Sequence, residues 1–189
     1  MLKTITSIFL VTVLLACNFD VNQENQTKVK LENIEVRKLD SNHWQTYTDI
    51  VIDAPIEKVW SVLTDWNNIS SWSSSLISIT GDIRNNGEVN VSYLVDGKTY
   101  STPHEFIYEE LKEFGWSDEM EGTFQGLQDN HRFRVEKISD SKTLFIQVDD
   151  FKGVGNKELS AEQVAKITVK FFPLFNRELK IQAEKENAK

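Results

Sequence analysis

The stretch SAEQVAKITVKFFPLFNRELKIQA, residues 160–183, decides the fold. Val164, Ile167, Phe171, Leu174, Phe175 and Leu179 recur there at the i, i+3, i+4, i+7 spacing of one buried helical face. Ser160 followed by Gln163 is the pattern of a capping box, in which each side chain satisfies an orphan backbone donor of the other residue. Pro173 lies inside the run. It lacks a backbone donor and crowds the preceding turn, so a kink is expected over residues 169–172. The cluster Phe171-Phe172-Pro173-Leu174-Phe175 is expected to pack in a core, or else to form one wall or the lid of a ligand site.

Such a face needs a cover, and residues 44–151 supply it. Residues 44–52 alternate and are β-rich, so they read as a first strand. A helix follows Pro55, with Ile56, Val59, Trp60 and Leu63 on one stripe and Asp53 and Glu57 at its positive end. A second short helix or turn carries Trp66, Ile69 and Trp72 before Ser73-Ser74-Ser75 ends it. From Leu76 onward the pattern is strands. Asp96-Gly97 is a two-residue hairpin turn, and it sets Val95 opposite Lys98, Tyr93 opposite Tyr100, Val91 opposite Thr102 and Val89 opposite His104. One face then carries Val89, Val91, Tyr93, Tyr100, Thr102, His104, Phe106 and Tyr108. Pro103 implies a bulge or a sheet edge.

Phe114, Trp116 and Met120 alternate inward on the next strand, with Asp118 on the same face. The last hairpin turns at Ser139-Asp140-Ser141-Lys142. Pairing Val135 with Ile146 and Phe133 with Val148 puts apolar beside apolar, and a slip of one residue would invert every side chain. That register sets His131 opposite Asp150 inside and Arg132 opposite Asp149 outside.

The chain has 189 residues, enough for one ordinary domain plus extensions, and 40% hydrophobic residues with 11% aromatic suffice for a sizeable core. A net charge of −8 opposes binding to nucleic acid and direct attraction to an anionic membrane. A single cysteine, Cys17, excludes an internal disulfide and a Cys-based metal site. No phosphate-binding Gly loop, repeat or metal cluster stands out, and the residues call for no cofactor.

Residues 1–17, MLKTITSIFLVTVLLAC, pair a basic start with an apolar run of secretory h-region length, too short to span a bilayer. Leu14-Leu15-Ala16-Cys17 resembles the bacterial lipobox, with Leu15 a mild departure. The resemblance implies that Cys17 becomes the first mature residue and carries lipid. Firm anchoring takes multiple acyl chains, palmitate among them. The expected location is the cell envelope, at an outer membrane or the outer face of a cytoplasmic membrane. Residues 18–43 read as a tether, polar through Lys30 and ending in a peripheral strand or turn over residues 31–40.

Three blocks, IDAPIEKVWSVLTDWNNISSW (residues 52–72), HRFRVEKISDSKTLFIQVDDFKG (residues 131–153) and FNRELKIQAEK (residues 175–185), resemble signatures of the START-like (SRPBCC) superfamily in its polyketide cyclase/dehydrase-like branch. The resemblance covers about residues 44–187. It implies an α+β helix-grip fold: a curved antiparallel β-sheet wrapped around a long C-terminal α-helix, with two short helices after the first strand and a deep apolar cavity between. Pro173 and an insert at residues 153–159 depart from it and bear on the cavity mouth.

The expected cavity residues are Tyr93, Tyr100, His104, Phe106, Trp116, Met120, Phe133, Val135, Phe171 and Phe175. His131 and Asp150 are the candidate catalytic residues, because an Asp that orients a histidine makes it a general base, as cyclisation requires; the alternative is a structural pair. The leading expectation is a membrane-anchored protein that binds a small hydrophobic or lipid-like molecule. The others are a cyclase/dehydrase-like enzyme and a ligand-free interaction module with a filled core.

Overall fold

The computed structural model describes residues 31–185. The signal segment, Cys17 and the first part of the tether lie outside the described residues. Eight strands form one antiparallel sheet: Leu31–Asp40 (β1), His43–Ile52 (β2), Leu76–Gly81 (β3), Gly87–Val95 (β4), Lys98–Glu109 (β5), Glu113–Trp116 (β6), His131–Ser139 (β7) and Lys142–Lys152 (β8). Their order is β1-β2-β8-β7-β6-β5-β4-β3. Residues 76–152 therefore run as a meander, and β8 closes against β2. The helix Ile56–Leu63 (α1) and a 3-10 turn at Ile69–Ser71 carry the chain from β2 to the far edge at β3. The curved sheet grips two C-terminal helices, Ala161–Thr168 (α2) and Phe172–Glu184 (α3). This is the helix-grip architecture.

The sheet begins earlier than expected. Leu31–Asp40, assigned to the end of the tether, pairs along β2 as a full edge strand. Arg37 lies 3.5 Å from the Tyr47 ring centroid, and Asn33 donates to Asp49 at 2.7 Å, so this strand is held along the edge of β2 by side chains as well as by its ladder.

The hairpin of β4 and β5 has the expected register throughout, Val95 to Lys98 and onward to Val89 opposite His104. Asp96 and Gly97 both have positive φ, as a primed two-residue turn requires. Pro103 produces no bulge. It sits opposite Asn90 at a non-hydrogen-bonded position, so its missing donor points to the side where β6 has not begun; β6 pairs only with Phe106–Glu109.

The hairpin of β7 and β8 departs from expectation. Ser139 pairs with Lys142 as the turn dictates, but Lys137 then pairs with Thr143, because Ile138 is bulged out. Beyond the bulge Val135 faces Phe145, Phe133 faces Gln147, and His131 faces Asp149. Every side chain of β8 is thereby shifted by one position against the predicted pairing. Phe145, Gln147 and Asp149 turn inward, and Ile146, Val148 and Asp150 outward.

The expected single helix is two. The backbone breaks over residues 169–171, and Pro173 falls in the first turn of α3, where the missing donor costs nothing. Ser160 caps α2 with the predicted capping box. The break resets the buried face. Phe172, Phe175, Asn176, Leu179 and Ala183 are buried on α3, whereas Phe171 is 63% exposed, Ile167 44% and Leu174 41%. Asn176 donates to Thr48 Oγ1 at 2.8 Å and Thr46 donates to the Ala165 carbonyl at 3.0 Å, so both helices are also tied to β2 by hydrogen bonds inside the core.

Between helices and sheet lies an aromatic core. Phe114 stacks on Phe133 at 4.8 Å, Trp66 meets Phe114 edge-on at 4.9 Å, and Phe175 meets Phe133 at 5.3 Å. A smaller cluster of Leu127, Phe151, Ala161, Val164 and Ala165, joined by Met120, fills the space under α2.

Gly115 shows how closely β6 and β7 approach. A Cβ there would stand 1.9 Å from the His131 carbonyl oxygen. Gly115→Ala is expected to destabilise the fold by about 2–3 kcal/mol, the usual cost of overpacking. A thermal melt should show a midpoint lower by about 5–10 °C, and an unchanged midpoint would contradict this packing.

Candidate functional site

A cavity of about 280 Å³ opens between the tip of the β4–β5 hairpin and the break between α2 and α3. Its apolar walls are Leu76, Phe133, Phe172 and Phe175, with Leu94, Val95, Phe171 and Leu174 at the mouth. The helix break matters here. By swinging Phe171 and Leu174 out of the core it leaves them as the rim.

Four of the ten residues expected to line a cavity do so, Tyr93, Phe133, Phe171 and Phe175, as wall and rim, and His131, expected as catalytic, lies beside them. Phe106, Trp116 and Val135 are buried in the packed core instead. The deep hollow implied by the resemblance is filled by these rings, and the cavity that remains is near the mouth. Tyr100 is 54% exposed, because β5 runs on beyond the end of β6 and nothing covers its inner face there. Met120 belongs to the cluster under α2 and borders a separate, open groove with Gln128 and Lys152. Ser74, Ser75 and Gln147 also line the cavity and were not anticipated. Gln147 could be found only with the bulge at Ile138 in hand.

His131 is buried, with its ring stacked 4.5 Å from Phe133 and 5.0 Å from Phe172. Burial, reinforced by the Arg132 and His104 charges, lowers its pKa to about 3. The ring is therefore neutral at physiological pH. Its hydrogen-bond partner is Gln147, whose Nε2 lies 3.0 Å from the ring Nε2. Asp150 is not with it. That carboxylate lies on the outer face, taking a hydrogen bond from Gln45 Nε2 at 2.9 Å and approaching His43 at 3.4 Å. The expected His131–Asp150 pair does not form, because the bulge placed Asp149 rather than Asp150 across from His131. Asp149 accepts from the Asn130 backbone and, being buried, is pushed well above the usual carboxylate range.

A different histidine has a carboxylate. His104 Nδ1 stands 2.5 Å from Asp118 Oδ2, and its Nε2 is buried without a partner. The pair follows from extending the β5–β6 register two residues past Phe106 and Trp116. Sequence reasoning missed it because the turn joining these strands places Leu111 at positive φ, with no Gly or Asn to mark it. Asp118 N–H donates to Asp129, whose pKa burial raises to about 6. Burial likewise raises Tyr93, which feels Asp149, Asp129 and Asp118. One end of the aromatic core thus carries a half-buried acidic patch, while the cavity wall carries an uncharged imidazole. Among the described residues no group of His, Cys, Asp and Glu is arranged to hold a metal ion.

The sequence model of the family described as polyketide cyclase / dehydrase and lipid transport matches residues 43–170. The chain belongs to this family. Solved structures share its fold at low identity. A START superfamily protein from Mycobacterium smegmatis is 14% identical with a TM-score of 0.56, covering 74% of this chain and 97% of its own. The Zhui aromatase/cyclase from Streptomyces sp. R1128 is 13% identical with a TM-score of 0.57, over 75% and 94%. Major latex-like protein 151 from Panax ginseng is 9% identical with a TM-score of 0.58, over 76% and 99%. A comparison with curated sequences finds no match. Family and fold together mark a START-like, polyketide cyclase-like domain of the hydrophobic-ligand-binding kind.

The neutral imidazole has a thermodynamic signature. Its native pKa of about 3 lies below the ordinary 6.5, so the unfolded chain binds the proton first. The stability this group contributes is present above pH 6.5 and is lost as pH falls toward 3. Asp129, raised to about 6, acts in the opposite sense, since its native state holds the proton longer. Between pH 6.5 and pH 5 the His131 loss amounts to about 2 kcal/mol. His131→Phe should remove it. Urea unfolding at pH 7 and pH 5 is expected to show the variant about 2 kcal/mol less acid-sensitive than the parent, and equal sensitivity would mean that the ring is not held neutral.

Proposed function

We propose that this protein binds a small hydrophobic molecule in the mouth cavity and does so at a membrane of the cell envelope, held by lipid on Cys17. The observation that carries the binding reading is the cavity itself: walls of Phe133, Phe172, Phe175 and Leu76 that stay open although the core behind them is tightly filled. A bound molecule burying about 300 Å² of apolar surface gains about 7 kcal/mol before the costs of association, at ~25 cal/mol per Å². Affinity is then expected in the micromolar range or weaker. The aromatase/cyclase named above is a relative in fold. A general base of the His–Asp kind at the cavity would need a carboxylate on His131, and Gln147 occupies that place, while the His104–Asp118 pair does not line the cavity. The binding reading is therefore favoured over a cyclase.

The cavity reading is tested by filling it. Ser75 is a half-buried wall residue. Ser75→Trp is expected to weaken binding of the neutral probe 1-aminoanthracene at least tenfold, followed by fluorescence, with the fold intact by circular dichroism. Unchanged probe affinity would remove the cavity from consideration.

The anchor reading rests on residues 1–17 alone. No described helix is long and apolar enough to cross a membrane. In cells, Cys17→Ser is expected to move the protein from the membrane fraction to the soluble fraction and to abolish labelling by a palmitate analogue. Labelling that persists in the variant would refute lipidation at Cys17.

A further inference from the structure

Four large apolar side chains ring the cavity mouth. Leu94 and Val95 come from the tip of the β4–β5 hairpin, Phe171 and Leu174 from the break between α2 and α3, and all four line the same opening. All four stay exposed among the described residues: Leu94 is 38% exposed, Val95 49%, and Phe171 most of all. Exposed apolar side chains gathered around one opening, rather than scattered singly, mark a surface that meets something apolar.

The charges beside the rim bear on what that is. The chain carries −8 overall. At the mouth, Lys98 stands opposite Val95 across the ladder and Lys170 precedes Phe171. Against them stand Asp96 in the hairpin turn and Glu178, which accepts the Ser74 backbone N–H. These charges cancel, so the rim is near neutral on an acidic protein. Neither a strongly anionic nor a strongly cationic surface gains from such a rim. A zwitterionic phospholipid surface fits it, because its headgroups meet charges of both signs while its hydrocarbon takes the apolar side chains.

The length of the chain allows the contact. β5 and β7 run the same way and β1 the opposite way, so Leu31 lies near the β7–β8 turn, at the end of the sheet away from the mouth. β1 spans about 33 Å, and residues 18–30 extend to at most about 45 Å. A lipid on Cys17 therefore leaves slack enough for the mouth to turn onto the surface that holds the lipid. Tethering also keeps the rim at high effective concentration over that surface, so a small patch suffices where it would not hold a free protein.

We infer that the rim of Leu94, Val95, Phe171 and Leu174 docks on a bilayer of zwitterionic phospholipid, so that the cavity opens into the membrane rather than into water. This rests on the anchored, ligand-binding reading above and assigns the surface through which the ligand passes. The tether leaves from the far end of the sheet and by itself would hold that end nearest the membrane; the apolar rim is what turns the mouth down.

The single cysteine makes this orientation measurable on the full lipidated chain in phosphatidylcholine vesicles, because lipid on Cys17 leaves an introduced thiol as the only free one. The fluorophore nitrobenzoxadiazole is attached at Val95→Cys, or at Leu174→Cys should the first not fold, and separately at Ile138→Cys, an exposed site at the opposite end of the sheet. A doxyl quencher on the lipid is expected to quench the mouth label about threefold more strongly than the Ile138 label. With Leu94→Ser and Phe171→Ser added, the difference is expected to vanish. Equal quenching at the two ends, stronger quenching at Ile138, or a difference that survives the two serines would overturn the docking and leave anchor and cavity standing. A mouth label shielded from water yet unquenched by lipid, on a chain of doubled mass, would give the rim to a second copy and overturn the docking equally. A chain that does not float with the vesicles would overturn the anchor reading and the docking with it.

Discussion

One bulged residue, Ile138, decides what the interior of this protein contains. In a strand, neighbouring side chains point to opposite faces, so a single-residue shift exchanges the inner and outer sets along the whole of the strand beyond it. With the bulge, β8 turns Phe145, Gln147 and Asp149 inward and leaves Asp150 on the outer surface with Gln45 and Asn130. Without it, the inner set would be Leu144, Ile146, Val148 and Asp150. Both sets are apolar enough to build a sheet. Only the first places an amide beside His131. The chemistry of the cavity wall is therefore a consequence of backbone geometry at a hairpin end some distance away.

The second determinant is the interruption between α2 and α3. A continuous helix would have carried Phe171 and Leu174 inward on the same stripe as Val164 and Phe175. The break begins a new face at Phe172, and the ring that enters the core there stacks on His131 at 5.0 Å. Phe171 and Leu174, displaced outward, become the rim of the cavity. Burying large rings is worth several kcal/mol each, so exposed rings at a mouth represent stability that the fold forgoes at this place. The same segment thus closes the floor of the cavity and keeps its entrance open.

Readability from sequence tracked how local the deciding interaction was. The β4–β5 hairpin was read to the residue because Asp96-Gly97 determines both turn and register within four residues. The capping box at Ser160 was equally local. The β7–β8 register was not readable, because β8 is buried on both faces: its outer residues Ile146 and Val148 are covered too, flanked by Tyr47, Asp49 and the arginines of β7. Alternation carries information only where one face is wet. The turn itself was read correctly, Ser139 opposite Lys142, and the bulge one step later undid the inference. Likewise the helical stripe was right at Val164, Phe175 and Leu179 and wrong at Ile167, Phe171 and Leu174, the residues around the break, since period counting assumes an unbroken helix. Pro173 announced the disturbance. Whether it bends a helix or starts a new one depends on what the preceding residues pack against.

Why the polar groups sit where they do follows from the same geometry. Inward-facing Asp149, Asp129 and Asp118 gather at one end of the aromatic core, and burial raises Asp129 and Asp149 toward their neutral forms. Directly across the ladder from Asp149, His131 is driven the opposite way, also toward neutrality. Burial thus discharges acid and base alike. Inside of Asp96 at the mouth, the wall facing the cavity presents hydrogen-bonding capacity without charge: the Gln147 amide, the His131 imidazole, the hydroxyls of Ser74 and Ser75, and the Tyr93 phenol, whose proton burial also retains. A surface of that kind does not discriminate by charge attraction. It discriminates by shape and by the cost of leaving a donor or acceptor unpaired, and that cost falls most heavily on a guest with no matching group. Burial has thus left this wall with polar groups that carry no charge, and the neutral His131 is one instance of that rule.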